Sequence, residues 1–100
     1  MTRQTKQWMT YWERMYAIVI TPKCANQIAK LCRKRPELEV TLRETLRALQ
    51  EHPFASGKRL SGYTDYIRCW VGYRHRIVYR VIDKAVIIHE FAAKKDISYS

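Results

Sequence analysis

Apolar and polar positions alternate most regularly between Tyr66 and Phe91, and that stretch predicts three consecutive strands. β-branched and aromatic residues dominate it, with breaks at Gly72 and at Asp83-Lys84. In the first strand Tyr66, Arg68 and Trp70 share one face and Ile67, Cys69 and Val71 the other. In the second, Arg74, Arg76, Val78 and Arg80 lie opposite His75, Ile77, Tyr79 and Val81. One face is suited to burial; the other carries a row of guanidiniums. Upstream, Tyr16 to Ile20 reads as a short strand, and Thr21-Pro22 starts a helix, Thr as N-cap and Pro at the first helical position. Ala25, Ile28, Ala29 and Cys32 give that helix an apolar stripe. Arg33-Lys34-Arg35 breaks the stripe, and Pro36 opens a second helix, marked by Leu38, Leu42, Leu46 and Leu49 and ending near His52-Pro53. Residues 53–63 read as a loop. The expected order is β-α-α-β-β-β, an α+β fold in which an antiparallel helical hairpin packs on one face of a small, antiparallel-rich, twisted sheet.

One hundred residues suffice for a single domain with one modest core, and a 47% apolar fraction argues against disorder. The domain is expected over residues 15–100, with 1–14 as an N-terminal extension that could be flexible. Lys and Arg number 19 against 9 Asp and Glu, a formal net charge of +10. Such an excess points to nucleic acid, the ribosome or an acidic protein as partner; a generally soluble basic surface is the alternative. No apolar run is long enough to cross a bilayer and the first residues lack an apolar signal core, so a soluble, cytoplasmic protein with no membrane partner is expected. Cys24, Cys32 and Cys69 show no CxxC spacing and read as reduced thiols. Metal-ligand spacings, Gly-rich phosphate loops and carboxylate pairs are absent, so neither metal nor cofactor is called for.

Lys58-Arg59-Leu60-Ser61-Gly62, then Tyr66-Ile67-Arg68, then Tyr73 to Asp83, then a hydrophobic strand and Lys94-Lys95-Asp96-Ile97-Ser98-Tyr99 form an ordered set. That set resembles the RelE/ParE toxin superfamily, whose members end in a Leu-x-Gly, a Tyr-(Arg/Lys)-(Ile/Leu/Val)-x-Tyr hairpin and a basic C-terminal segment. The resemblance covers roughly residues 15–100. It implies a small toxin of a type II toxin–antitoxin pair, neutralised by a cognate protein antitoxin. Its RelE-like branch, the mRNA interferases, enters the ribosome beside the 16S rRNA and cuts translated mRNA by metal-free attack of the ribose 2′-OH on the adjacent phosphate. Such chemistry needs a base for the 2′-OH proton, cations for the phosphorane charge and an acid for the departing 5′-oxygen.

The resemblance assigns Arg76 to bidentate phosphate binding and puts Arg68 where the family carries a basic residue on the preceding strand. Lys95 takes the place of a basic residue after the last strand, often arginine. Tyr99 takes that of a C-terminal tyrosine which stacks on a base or helps proton transfer, although the Lys95–Tyr99 spacing is shorter than in the best-known RNA-cutting members. Lys58, Arg59, Arg74, Arg80 and Lys94 are candidate nucleic-acid contacts. His89 enters by geometry: if Asp83-Lys84 is a tight turn, Val78 faces His89 and Arg76 faces Phe91, which places His89 on the arginine face with a pKa suited to acid–base work. The same register puts Glu90 on the helix side near Ile77. His52 and His75 read as structural or incidental.

The leading reading on the sequence is a ribosome-dependent endoribonuclease toxin; a ParE-like inhibitor of DNA gyrase with the same fold is the runner-up, and a non-catalytic basic RNA-binding family member the third. Either toxin would need an antitoxin with acidic and apolar residues. The extension carries Trp8, Tyr11 and Trp12, which could pack on the domain or a partner. Alternatively, Met15 is the start: Trp12-Glu13 must be encoded by a purine-rich run resembling a ribosome-binding sequence. The mass of the natively expressed N-terminus decides, and a chain beginning at Met1 or Thr2 rules the second reading out.

Overall fold

In a computed structural model, which describes residues 15–55, 57–59 and 65–94, the order is β1 (Ala17–Ile20), α1 (Pro22–Lys34), α2 (Pro36–Glu51), β2 (Lys58–Arg59), β3 (Ile67–Val71), β4 (His75–Ile82) and β5 (Ala85–Ala93). The expected order is present, with the two-residue strand β2 added inside the stretch read as a loop. The N-terminal extension lies outside the described residues.

Local chemistry sets the helix ends. Thr21 is extended and its Oγ1 accepts from the Cys24 N–H at 3.2 Å, satisfying one orphan donor of α1, and Pro22 takes the first helical position. Arg33 and Lys34 in the last turn complement the helix dipole. Arg35 ends α1 and begins α2: its N–H donates to the Leu31 carbonyl and its carbonyl accepts from Leu38. Pro36 disfavours a helical Arg35, which is why the chain turns at that single residue. The buried face of α2 is Leu38, Leu42 and Leu49, as the stripe predicts. In α1 the stripe is rotated. Cys24 is buried and Ile28, Leu31 and Cys32 pack against the core, whereas Ala25 and Ala29 are exposed. Alanine fits either side of a helix, so it marks the stripe poorly.

The strand order is β1-β5-β4-β3-β2, with β1 parallel to β5 and every other pair antiparallel. Beyond Ile20 the outer edge of β5 has no strand beside it, and α1 takes over its hydrogen bonding. Thr21 N–H donates to the Ile88 carbonyl and Gln27 Oε1 accepts from Phe91 N–H at 2.9 Å. On the helix side Ile67, Cys69, Val71, Ile77, Tyr79, Val86, Ile88 and Phe91 close the core.

The β4–β5 hairpin corrects the expected register. Asp83-Lys84 is the turn, Asp83 adopting a left-handed φ of 55°, and Ile82 pairs with Ala85. An irregularity then follows: Tyr79 pairs with Ile88 but Val78 with Glu90, so Arg76 faces Ala92, not Phe91. His89 is the extra residue of a β-bulge. Strict alternation after Ile88 would send Glu90 into the core and Phe91 out of it. The bulge instead lets Ile88 and Phe91 both point inward, each fully buried.

Tyr79, also fully buried, donates its hydroxyl to the Pro53 carbonyl at 2.6 Å and pins the segment after α2 to the central strand. A methyl group at Gly57 would run into Tyr79 Oη and Ile67 Cγ2, so this loop lies directly on the sheet. Removing the hydroxyl leaves a buried carbonyl without its donor, and Tyr79→Phe is expected to lower stability by about 1–3 kcal/mol, read as a lower urea midpoint with unchanged slope. An unchanged midpoint would show the contact to be dispensable.

Candidate functional site

Facing away from the helices, β3 and β4 set aromatic residues against cations. Trp70 pairs with Arg76 and Arg68 with Val78. The same register brings Tyr66, just ahead of β3, beside Arg80. The Arg76 guanidinium lies 4.3 Å from the Trp70 ring centroid, and Lys94 Nζ approaches the same ring at 5.4 Å. Arg80 lies 5.3 Å from the Tyr66 centroid. The guanidinium row is therefore not evenly open: Arg76 is only 8% exposed, Arg68 and Arg80 are half-buried, and Trp70 is the exposed member of the stack. β4 is the central strand, paired along both edges, and Arg76 is sheltered by its neighbours on the outer face.

Lys58 sits directly across from Arg68. With Trp70 and Arg76 these two line a cleft of about 160 Å³ whose described lining contains no acidic side chain. Burial, and then the charge of Arg68, press the Arg76 pKa down from its ordinary value. Two guanidiniums and an ammonium around an aromatic face can hold a phosphate beside a stacked base.

His89 reaches the arginine face, but beside Arg80 rather than Arg76. Arg80 Nε donates to His89 Nε2 at 3.1 Å, and the imidazole meets the Tyr66 ring edge-on at 5.4 Å. Accepting at Nε2 leaves the proton of a neutral imidazole on Nδ1. Arg76 and Arg80 are four positions apart on β4, about 13 Å along the strand. His89 thus belongs to a second cluster, Tyr66–Arg80–His89, with Arg68 at the intermediate strand position.

Arg74 leaves the expected strand face. It lies in the turn that follows Gly72, whose φ of 68° suits glycine, and lines a separate groove with Lys34, Arg35 and Lys94. Arg59 pairs with Ile67 in the β2–β3 ladder. Lys95 and Tyr99 lie outside the described residues. Trp70 and Tyr66 are the site residues that the sequence reading left without a role. Counting back from the Gly72–Arg74 turn, which pairs Val71 with His75, would have set Trp70 against Arg76.

The pKa of His89 is lowered by burial and then by Arg80, and that of His75 by burial and then by Arg35 and Arg74. A folded-state pKa below the unfolded value favours the neutral form in the native state. Its stability contribution is full above the unfolded value of 6.5 and is lost as pH falls from there through the folded values. The urea midpoint is expected to drop between pH 7.5 and pH 5. Because other groups also titrate there, the decisive comparison is the variant His89→Gln, in which the drop should shrink; an equal drop contradicts the assignment.

No protein-family model and no curated protein matches the chain. Solved structures do. A YoeB/ParE toxin from Agrobacterium tumefaciens aligns with a TM-score of 0.69 at 19% identity, covering 77% of this chain and 97% of that one. The toxin–antitoxin complex RelBE2 from Mycobacterium tuberculosis aligns with a TM-score of 0.70 at 22% identity, covering 82% and 94%. YafQ from Escherichia coli aligns with a TM-score of 0.64 at 16% identity, covering 80% and 94%. At these identities the likeness is one of architecture: two helices on one face of a mixed sheet, in the same order of elements. The chain has the RelE/ParE-like toxin fold.

Proposed function

We propose that this chain is the toxin of a type II toxin–antitoxin pair and that it acts as an endoribonuclease on translated mRNA. The observation that carries this reading is the Lys58–Arg68–Trp70–Arg76 cleft, which joins three cations to a solvent-exposed tryptophan. The fold shared with solved toxins supports it. A nucleobase stacks on Trp70, and Arg68 and Arg76 grip the adjacent phosphate. As the 2′-oxygen attacks, negative charge grows on the phosphorane oxygens and the fixed guanidiniums stabilise it more than they stabilise the ground state. Arg76 is held in place by Trp70 and by its burial, so little reorganisation is needed during reaction. By resemblance, Lys95 adds a cation after the last strand, and Tyr99 stacks on a base or helps proton transfer. His89 has its Nε2 engaged by Arg80, and its part in this scheme is to position Arg80 and Tyr66.

A cognate antitoxin is the expected partner, as RelBE2 is itself a toxin–antitoxin complex. The ribosome and its 16S rRNA are the expected setting for cleavage. Inhibition of DNA gyrase on the same fold is the second reading. The cleft favours RNA because it sets three cations for a phosphate beside an aromatic ring on which an unpaired base can stack.

Arg76→Ala is expected to lower cleavage by about 10²–10³-fold, the cost of one oxyanion donor. Arg76→Lys keeps the charge but loses the fork and should fall between. Primer extension on cellular transcripts after brief induction reads this directly: new 5′ ends inside translated frames with wild type, missing with Arg76→Ala. Growth arrest with intact messages would point to gyrase, and undiminished cleavage by folded Arg76→Ala would falsify the site. Trp70→Ala should weaken RNA binding by about 1–3 kcal/mol while Trp70→Phe retains most of it, as a stacking role requires.

A further inference from the structure

A wider groove lies outside this cleft. It measures about 720 Å³ and runs between the corner of the two helices, the β3–β4 turn and the end of β5. Lys34 and Arg35 come from the helix junction, Arg74 from the turn and Lys94 from the end of β5. These are four cations from three separate parts of the chain, and the described lining contains no acidic side chain. Leu31, Ala93 and the His75 ring, stacked on Phe91, supply less polar wall. Tyr73 stands at the turn, 97% exposed.

Lys94 ties the groove to the cleft, and two further features hold the groove together. Lys94 belongs to both, lining the groove while its Nζ lies over the Trp70 ring. The Lys94 N–H donates to the Arg74 carbonyl at 2.7 Å, which fixes the end of β5 against the turn. Arg35 and Arg74 line the groove together with His75 although they are distant in sequence.

We infer that this groove is a second RNA site, which holds the phosphates of the strand flanking the nucleotide bound at Trp70, with Lys94 as the joint. Charge decides the ligand class: four converging cations suit a polyanion. Continuity with the Trp70 platform, together with the exposed Tyr73 ring, favours RNA over an acidic peptide. The helix junction thereby gains a binding role, through Lys34 and Arg35. The inference rests on the endoribonuclease reading, and its test separates the two.

The test is fluorescence anisotropy with a single-stranded trinucleotide and a dodecamer of RNA, over a series of salt concentrations, on the full chain. Wild type should bind the dodecamer more tightly and with a steeper salt dependence. In Lys34→Gln/Arg35→Gln the dodecamer should lose affinity and its log–log salt slope should flatten by about 1.4, since each phosphate contact on a single strand contributes about 0.7. Trinucleotide affinity should stay at the wild-type value. Both side chains are exposed, and a thermal melt confirms that the variant is folded. Arg76→Ala, by contrast, should weaken both ligands. Equal dodecamer binding by wild type and the double variant overturns the groove assignment while leaving the cleft reading intact. Loss of poly-glutamate binding with RNA binding retained would make the groove a protein-docking surface and overturn it as well. An Arg76→Ala effect on neither ligand, or no RNA binding by wild type at low salt, defeats the cleft reading itself.

Discussion

A guanidinium set in the central strand of a sheet is the constraint on which this face depends. Moving a charge out of water is costly, and an arginine on a covered strand needs surroundings that favour the cation. Trp70, directly across β3, provides a ring face against Arg76, a contact worth about 0.5–2 kcal/mol depending on desolvation. Cross-strand pairing makes that contact possible, and the pairing is fixed by the turn at Gly72. The same stack leaves Trp70 partly open to solvent, and the Lys58–Arg68 pair stands beside it. One arrangement both shelters the cation and presents the aromatic side chain to which the proposed function assigns base stacking.

The second cluster is built on an irregularity. One extra residue in β5 reconciles two inward-facing apolar side chains, Ile88 and Phe91, with an outward His89. The bulge lies where β1 has ended and where Thr21 and Gln27 of the α1 region complete the hydrogen bonding of β5. Helix start, strand edge and bulge are thus one local solution. It carries His89 to Arg80 and Tyr66, and so separates His89 from the Trp70–Arg76 end of the face.

The helix junction and the β3–β4 turn meet at one end of the sheet. Each contributes cations that look like ordinary solvated residues in isolation. Only docking of the helical hairpin onto the sheet brings Lys34 and Arg35 to the groove that Arg74 and Lys94 also line. Charge that is spread along the sequence is gathered in one groove, which Lys94 borders on the side of Trp70.

By itself the sequence determined the order of elements, the helix boundaries at Thr21-Pro22, Pro36 and His52-Pro53, both hairpin turns and the division of β3 into a core face and a cationic face. These follow from local rules: proline and cap chemistry, strand alternation and turn residues act over a few positions. The fold resemblance was legible for the same reason, since it rests on an ordered set of such signals. Tertiary structure alone decided the register past His89, the burial of Arg76, the departure of Arg74 to the groove and the orientation of α1. Each of these depends on which side chains must share the core. Glu90 beside Phe91 signals that strict alternation fails near His89 but not where the extra residue falls, and alanines at 25 and 29 do not say which side of a helix is covered. Such choices are made by packing between segments far apart in the chain, where one residue of slip exchanges the two faces of a strand.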